Sequence, residues 1–193
     1  MVYEEPKLTI AETLSQIIQL NQKLATRWKG LAGWAPESAA KLLDESRLDL
    51  QVELSRSLEL WVATPNSDYP EATLILAYAN LGALVEGSMK WFLSIHVEDY
   101  IADTDARKNK HGNVILPDGQ TLEPLRVFFQ KRIWGSEESW NDWVGIIQNR
   151  RNAVHSYKPR EIGNHADLIE NIRLYLDFLN RLNSQTPDLP SRW

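Results

Sequence analysis

The stretch from Tyr69 to Asp103, YPEATLILAYANLGALVEGSMKWFLSIHVEDYIAD, decides how the rest of the chain is read. Ala72, Leu76, Ala79, Ala83, Val85, Met89 and Phe92 lie among many other apolar residues, so a helix built from it buries most of its faces. Ala77, Ala79, Gly82, Ala83 and Gly87 carry little or no side chain and leave surfaces that another helix can approach closely. Asn80, Glu86, Lys90 and His96 are each costly in lipid, so a buried core helix is expected rather than a membrane span. The stretch therefore reads as one long central helix of a bundle.

On its N-terminal side two helices are expected. Leu8 to Trp28 places Leu8, Ala11, Leu14, Ile17, Ile18, Leu20 and Leu24 near a 3.6-residue period. Pro6 suits a first turn, Thr9 and Glu12 have capping-box spacing, and Gly30 and Gly33 stop the helix. Pro36 to Val62 is read as a second helix with Ala39, Leu42, Leu43, Leu50, Leu54, Leu58 and Trp61 inward. Leu48, Leu50, Val52 and Leu54 alternate as in a strand, but the length and the Leu, Glu, Ala and Arg content favour a helix. Thr64, Pro65 and Asn66 close it.

On the C-terminal side, Thr104 to Gln120 is a long polar connection, in which Val114, Ile115 and Leu116 before Pro117-Asp118-Gly119 either form a short hairpin or, as the preferred reading, tuck under as an irregular loop. Leu122 to Ile133 is a fourth helix with Leu125, Phe128 and Phe129 inward. Ser136 caps a fifth, with Trp140, Trp143, Val144, Ile147 and Val154 as its apolar face and its end near Tyr157–Pro159. A sixth follows Gly163 and Asn164, with Leu168, Ile172, Tyr175, Leu176 and Leu179 inward. Residues 185–193 read as an irregular tail. No repeat and no strand pair is evident. The expectation is an all-α bundle of about six helices in one domain over 1–193.

Composition narrows the function classes. The 193 residues carry a net charge of −5, which argues against coating nucleic acid through bulk charge. Between Arg126 and Arg160, however, seven Lys or Arg stand against three Asp or Glu. The absence of cysteine excludes disulfides and thiolate metal sites, and the N-terminus shows no signal-peptide pattern, so a cytoplasmic protein is expected. Eight tryptophans suit helix–helix cores and interfaces; Trp134, Trp140 and Trp143 are candidates for a binding surface. Four histidines are scattered, Asp99, Asp103 and Asp105 read as a solvated acidic turn, and no phosphate-binding glycine loop or serine-hydrolase elbow occurs. No metal or other cofactor is called for.

Polar chemistry concentrates at Gln148–Pro159, QNRRNAVHSYKP. An arginine and a histidine at one helix end can act together on a phosphodiester. Imidazole takes and returns a proton near neutral pH, and guanidinium holds phosphate bidentately. With RNA the 2′-hydroxyl is the nucleophile. The bland alternative is a polar helix end, where Arg150, Arg151, Lys158 and Arg160 favour the helix dipole and His155 caps a carbonyl. Spacing alone says little, because Arg160 and His165 repeat it. Glu86 and Lys90, one turn apart, either pair at the solvent edge, or Glu86 points inward and holds an arginine.

The eight residues Arg150-Arg151-Asn152-Ala153-Val154-His155-Ser156-Tyr157 resemble the Arg-x4–6-His motif of the HEPN superfamily (higher eukaryotes and prokaryotes nucleotide-binding), in the Arg-x4-His-x-Tyr form of HEPN toxins. The all-α pattern extends the resemblance over most of the chain. It implies a homodimer whose two motifs face each other, and RNA cleavage without metal to a 2′,3′-cyclic phosphate and a 5′-hydroxyl. His155 would be the acid/base, Arg150 would bind the phosphate, Asn152 would position one of them, and Tyr157 would be open to AMPylation by a partner nucleotidyltransferase. The implied settings are toxin–antitoxin pairs, with a cognate antitoxin, and phage defence. The alternatives are a non-catalytic helical module binding a protein or nucleotide, or an acidic antitoxin or immunity component. One departure matters: the family places its polar residue directly after the arginine, whereas Asn152 follows Arg151. On an ideal helix Arg151 and His155 are about 40° apart and Arg150 and His155 about 140°, so both arginines stay candidates.

Overall fold

The computed structural model describes residues 8–33, 35–63, 68–135 and 138–188. Eight α-helices run in order: α1 (Ile10–Arg27), α2 (Glu37–Glu45), α3 (Leu48–Val62), α4 (Pro70–Ile95), α5 (Val97–Ala102), α6 (Leu122–Phe129), α7 (Glu138–Arg151) and α8 (His165–Ser184). Among the described residues there are no strands, only two isolated bridges. The all-α bundle with a long central helix is what the periodicity predicts. α4 packs against α2, α3, α6, α7 and α8, and α1 closes the bundle against α3 and α8. α4 is long and apolar enough to cross a membrane, yet 56% of its most apolar window is buried inside the protein.

Local chemistry explains where the helix count departs from six. The single helix expected over Pro36–Val62 is two, because the Ser46 hydroxyl donates to the Leu43 carbonyl at 2.6 Å and Arg47 leaves helical geometry. Restarting at Leu48 resets the register, so Leu48 and Ser55 are buried while Leu50 is exposed, contrary to the inward assignment of Leu50. The central stretch ends as a straight helix at Ile95. His96 turns the chain (φ −100°, ψ 30°) and packs on Phe92, and α5 then buries Val97 and Tyr100. Thr9 and Glu12 form the expected capping box at α1, Gly30 and Gly33 stop the chain with positive φ, and Asn164 with Asp167 caps α8 in the same way. Pro6, Thr64–Asn66 and Ser136, expected at helix ends, lie outside the described residues, as does the tail beyond 188.

After α6 the chain widens into a π-turn over Gln130–Trp134. The wider winding turns Phe129 and Trp134, five residues apart, both towards the core, 5.3 Å between ring centroids. Trp134, Trp140 and Trp143 then gather around Phe178 at 6.4, 5.5 and 5.2 Å. Trp134 and Trp143 are buried and belong to the core, not to a binding surface, while Trp140 is half-buried against them. Asp103 and Asp105 pair with Lys131 and Arg132, tying the 104–120 connection to this turn; they are not a merely solvated acidic cluster. Tyr100 secures the same connection: its hydroxyl donates to the Ile115 carbonyl and accepts from Gln120.

The small residues on α4 are used as expected. A Cβ on Gly87 would lie 2.3 Å from Gln51 Oε1, and one on Gly82 would lie 2.5 Å from Arg151 Cδ. Gln51 donates to the Leu84 carbonyl at 2.7 Å, and the buried Tyr175 hydroxyl lies 3.1 Å from Ser88 Oγ. Phe178 holds three tryptophans from two segments against α8, so Phe178→Ala should cost about 3–5 kcal/mol, read as a lowered denaturant midpoint with an unchanged slope.

Candidate functional site

The end of α7 changes pitch where its chemistry begins. The α-helix stops at Arg151, and Asn152–His155 continue as a 3-10 turn. Tighter winding adds about 20° per residue, which carries His155 from about 40° to about 120° away from Arg151. The same rotation brings Ala153 into the core and leaves Val154 44% exposed, so Val154 is not part of the apolar face of α7. The helix itself ends earlier than Tyr157–Pro159.

Arg150 and Arg151 reach α4 at different heights, Arg150 at Tyr78 and Arg151 at Gly82 and Glu86. Arg150 Nη1 donates to the Tyr78 hydroxyl at 2.5 Å, and its guanidinium carbon lies 5.1 Å from the Tyr78 ring centroid. Its Nη2 is 3.7 Å from Asp167 Oδ2, and the side chain is only 14% exposed. Tyr78 is buried, which raises its pKa above the ordinary value even though Arg150 pulls the other way, so the hydroxyl stays neutral and accepts. Asn171 donates to the same hydroxyl at 3.2 Å, while its Oδ1 accepts from Trp143 Nε1 at 2.9 Å. Gly163 roofs the cage: with φ +70°, a Cβ there would lie 2.6 Å from Arg150 Cζ and from Asp167 Oδ2.

Arg151 lays its aliphatic stem over Gly82 and carries its Nη1 to 2.5 Å from Glu86 Oε2. The other Glu86 oxygen accepts from Lys90 Nζ at 2.8 Å. Both readings of Glu86 therefore hold together: it pairs with Lys90 and it holds an arginine. Burial would raise its pKa, but the hydrogen bonds and charges of Lys90 and Arg151 outweigh burial and lower it. Arg151 is 31% exposed and lines an open groove of about 480 Å³ between α3 and α4, together with Arg47 and Lys90.

His155 is exposed and has no hydrogen-bond or ion-pair partner among the described residues. Asn152 is half-buried, again without a side-chain partner there, and Tyr157 is fully exposed. The structure thus joins Arg151 to Glu86 and Lys90, and Arg150 to Tyr78 and Asp167, and hands His155 to solvent. The decoy separates from the motif: Arg160 bonds Ser156, whereas His165 Nε2 lies 3.1 Å from the Trp61 carbonyl. Tyr78, Asp167, Asn171 and Gly163 were not singled out as site residues from sequence. Of these the sequence reading named only Gly163, as the residue before the last helix. Among the described residues no three His, Asp or Glu side chains converge as a metal site requires. Comparison with protein-family models, curated proteins and solved structures finds no match for this chain.

Two measurements follow from this geometry. Gly112 has φ +84° but open space at its Cβ position, so Gly112→Ala should cost about 1–2 kcal/mol for backbone alone. Gly163→Ala adds the clash with Arg150 and Asp167 and should cost about 1–3 kcal/mol more by equilibrium unfolding. Glu86 has its pKa lowered by folding, so its carboxylate stabilises fully above the ordinary value of 4.5 and loses that contribution as pH falls through the lowered value. The stability gap between the native chain and Glu86→Gln should be widest near neutral pH and close below pH 4.5.

Proposed function

We propose that the chain is a metal-independent endoribonuclease of the HEPN type, acting in a toxin or phage-defence setting, with a site completed by a second copy. The observation that carries the reading is His155: an exposed imidazole without an internal partner among the described residues, following two arginines that the fold anchors separately, at Tyr78 and Asp167 and at Glu86. The resemblance of Arg150–Tyr157 supplies the reaction class. Exposed Val154 and Tyr157 on either side of His155 give the second copy an apolar surface to meet.

In the proposed reaction His155 accepts the proton of a ribose 2′-hydroxyl. The 2′-oxygen attacks the adjacent phosphorus, the bond to the 5′-oxygen breaks, and an imidazolium returns a proton to that leaving oxygen. The products are a 2′,3′-cyclic phosphate and a 5′-hydroxyl. Guanidinium stabilises the charge that grows on the phosphoryl oxygens. Arg151 takes the phosphate and Arg150 is a positioning residue. What supports this division is that Arg150 is enclosed by Tyr78, Asp167 and Gly163, whereas Arg151 uses only Nη1 and opens onto a groove. Asn152 orients the attacking ribose or the imidazole.

A second reading, a helical module that binds RNA or a partner without cleaving, is favoured by one feature. Each arginine already has a carboxylate, Glu86 or Asp167, so an incoming phosphate meets neutralised cations. The two readings separate on one assay. Purified protein incubated with RNA and EDTA should release fragments ending in 2′,3′-cyclic phosphate, and His155→Ala should slow this by about 10²–10⁴-fold. Tyr157→Phe should cleave normally. RNA retained without cleavage selects the second reading, and cleavage unchanged in His155→Ala removes the first.

A further inference from the structure

We infer that Lys90 and Arg151, bridged by Glu86, form an anion site that receives a phosphate or pyrophosphate group at the mouth of the α3–α4 groove. The inference rests on the reading of Arg151 as the phosphate-receiving arginine, but it does not require cleavage. Glu86 neutralises one of the two cations it touches, which leaves one positive charge shared by a half-buried pair. Nη1 is the only Arg151 side-chain atom with a hydrogen bond among the described residues, which leaves Nε and Nη2 to donate. Lys90 Nζ has two further hydrogens beyond the one given to Glu86. The carboxylate thus draws both cations to one place, and a phosphate can be received by the donors that remain.

The groove behind these cations has an apolar floor that includes Leu48, Leu54 and Trp91. Trp91 is 3% exposed, and its indole Nε1 is buried without a hydrogen-bond partner. Across the whole groove the charges cancel: Arg47, Lys90 and Arg151 stand against Glu45, Glu86 and Asp118. A ligand is therefore held by contact at Lys90 and Arg151 and not by a long-range field. The chemical class that fits is a phosphate ester with a flat or apolar body for the floor, as in a nucleotide, either free or within an RNA strand.

The test uses pyrophosphate as the probe, with calorimetry or tryptophan fluorescence as the readout. The native chain should bind it weakly, on the order of millimolar, because only a pair of charges is involved. Lys90→Gln and Arg151→Gln should each weaken binding about fivefold or more, while Lys90→Arg and Arg151→Lys should keep most of it. Glu86→Gln removes the competing carboxylate and should tighten binding about fivefold. Arg160→Gln, a change at an exposed cation outside the groove, should leave it unchanged. Circular dichroism on each variant separates lost binding from lost fold, and the charge-keeping variants carry the test where a glutamine variant does not fold.

No binding by the native chain overturns the inference. So does binding that is indifferent to Lys90 and Arg151, or that weakens in Glu86→Gln. Competition then identifies the source of the phosphate. A 2′-O-methyl oligonucleotide that displaces pyrophosphate more effectively than ADP points to RNA, and the reverse order points to a free nucleotide. Pyrophosphate binding with no RNA cleavage keeps the anion site and removes the ribonuclease reading. Cleavage without pyrophosphate binding does the opposite.

Discussion

Neighbouring residues on an α-helix are separated by about 100°, so two consecutive arginines leave that helix in different directions. At the end of α7 this separation sends Arg150 towards Tyr78 and α8, and Arg151 across Gly82 to Glu86. The pair therefore grips α4 at two points, Tyr78 and Glu86, about two helical turns apart along the helix. Each guanidinium is desolvated in part and compensated by a carboxylate, an arrangement in which removing one partner is far costlier than the pair is worth. The placement of the last turn of α7, and with it His155, depends on this double anchoring.

The rest of the bundle supports the same helix. Glycine at 82 and 87 lets an arginine stem and a glutamine amide reach the α4 backbone, where any Cβ would intrude. The π-turn after α6 adds a residue so that Phe129 and Trp134 both enter the core, and Phe178 collects the tryptophans of this turn and of α7. Asn171 joins the two regions: one end of its amide meets Trp143 and the other meets Tyr78, the acceptor for Arg150. Aromatic packing and the polar cage are thus mechanically one unit, although one is apolar and the other charged.

Apolar periodicity made the architecture legible, because burial of a helical stripe leaves the same signal wherever the helix sits. It misjudged breaks that depend on single hydrogen bonds or dihedral angles. Ser46 ends α2 through one bond to Leu43, and His96 bends the central segment within a run that stays apolar on both sides. The tryptophans at 134, 140 and 143 were candidates for a surface, yet the π-turn carries Trp134 into the core and the regular turns of α7 bury Trp143. At the site, Arg150, Arg151, Asn152, His155 and Tyr157 were readable as a cluster, and Glu86 as a possible arginine partner. Tyr78 was hidden in the most apolar part of the chain, and Asn171 and Asp167 on a helix whose pattern announced only a stripe. Tyr78 meets Arg150 across 72 residues of chain and Asn171 across 93, separations that no local pattern encodes.

Gly163 has a consequence for recognising distant kin. An arginine and a histidine five residues apart are common, and the spacing recurs in this chain where the two side chains have unrelated partners. A glycine that roofs the first arginine, a glycine beneath the second, and the tyrosine and glutamate that receive them form a discontinuous signature scattered over residues 78 to 163. Each of its members excludes alternatives on steric or electrostatic grounds. Searches that score this set jointly would separate chains sharing the arrangement from those that share only the short motif.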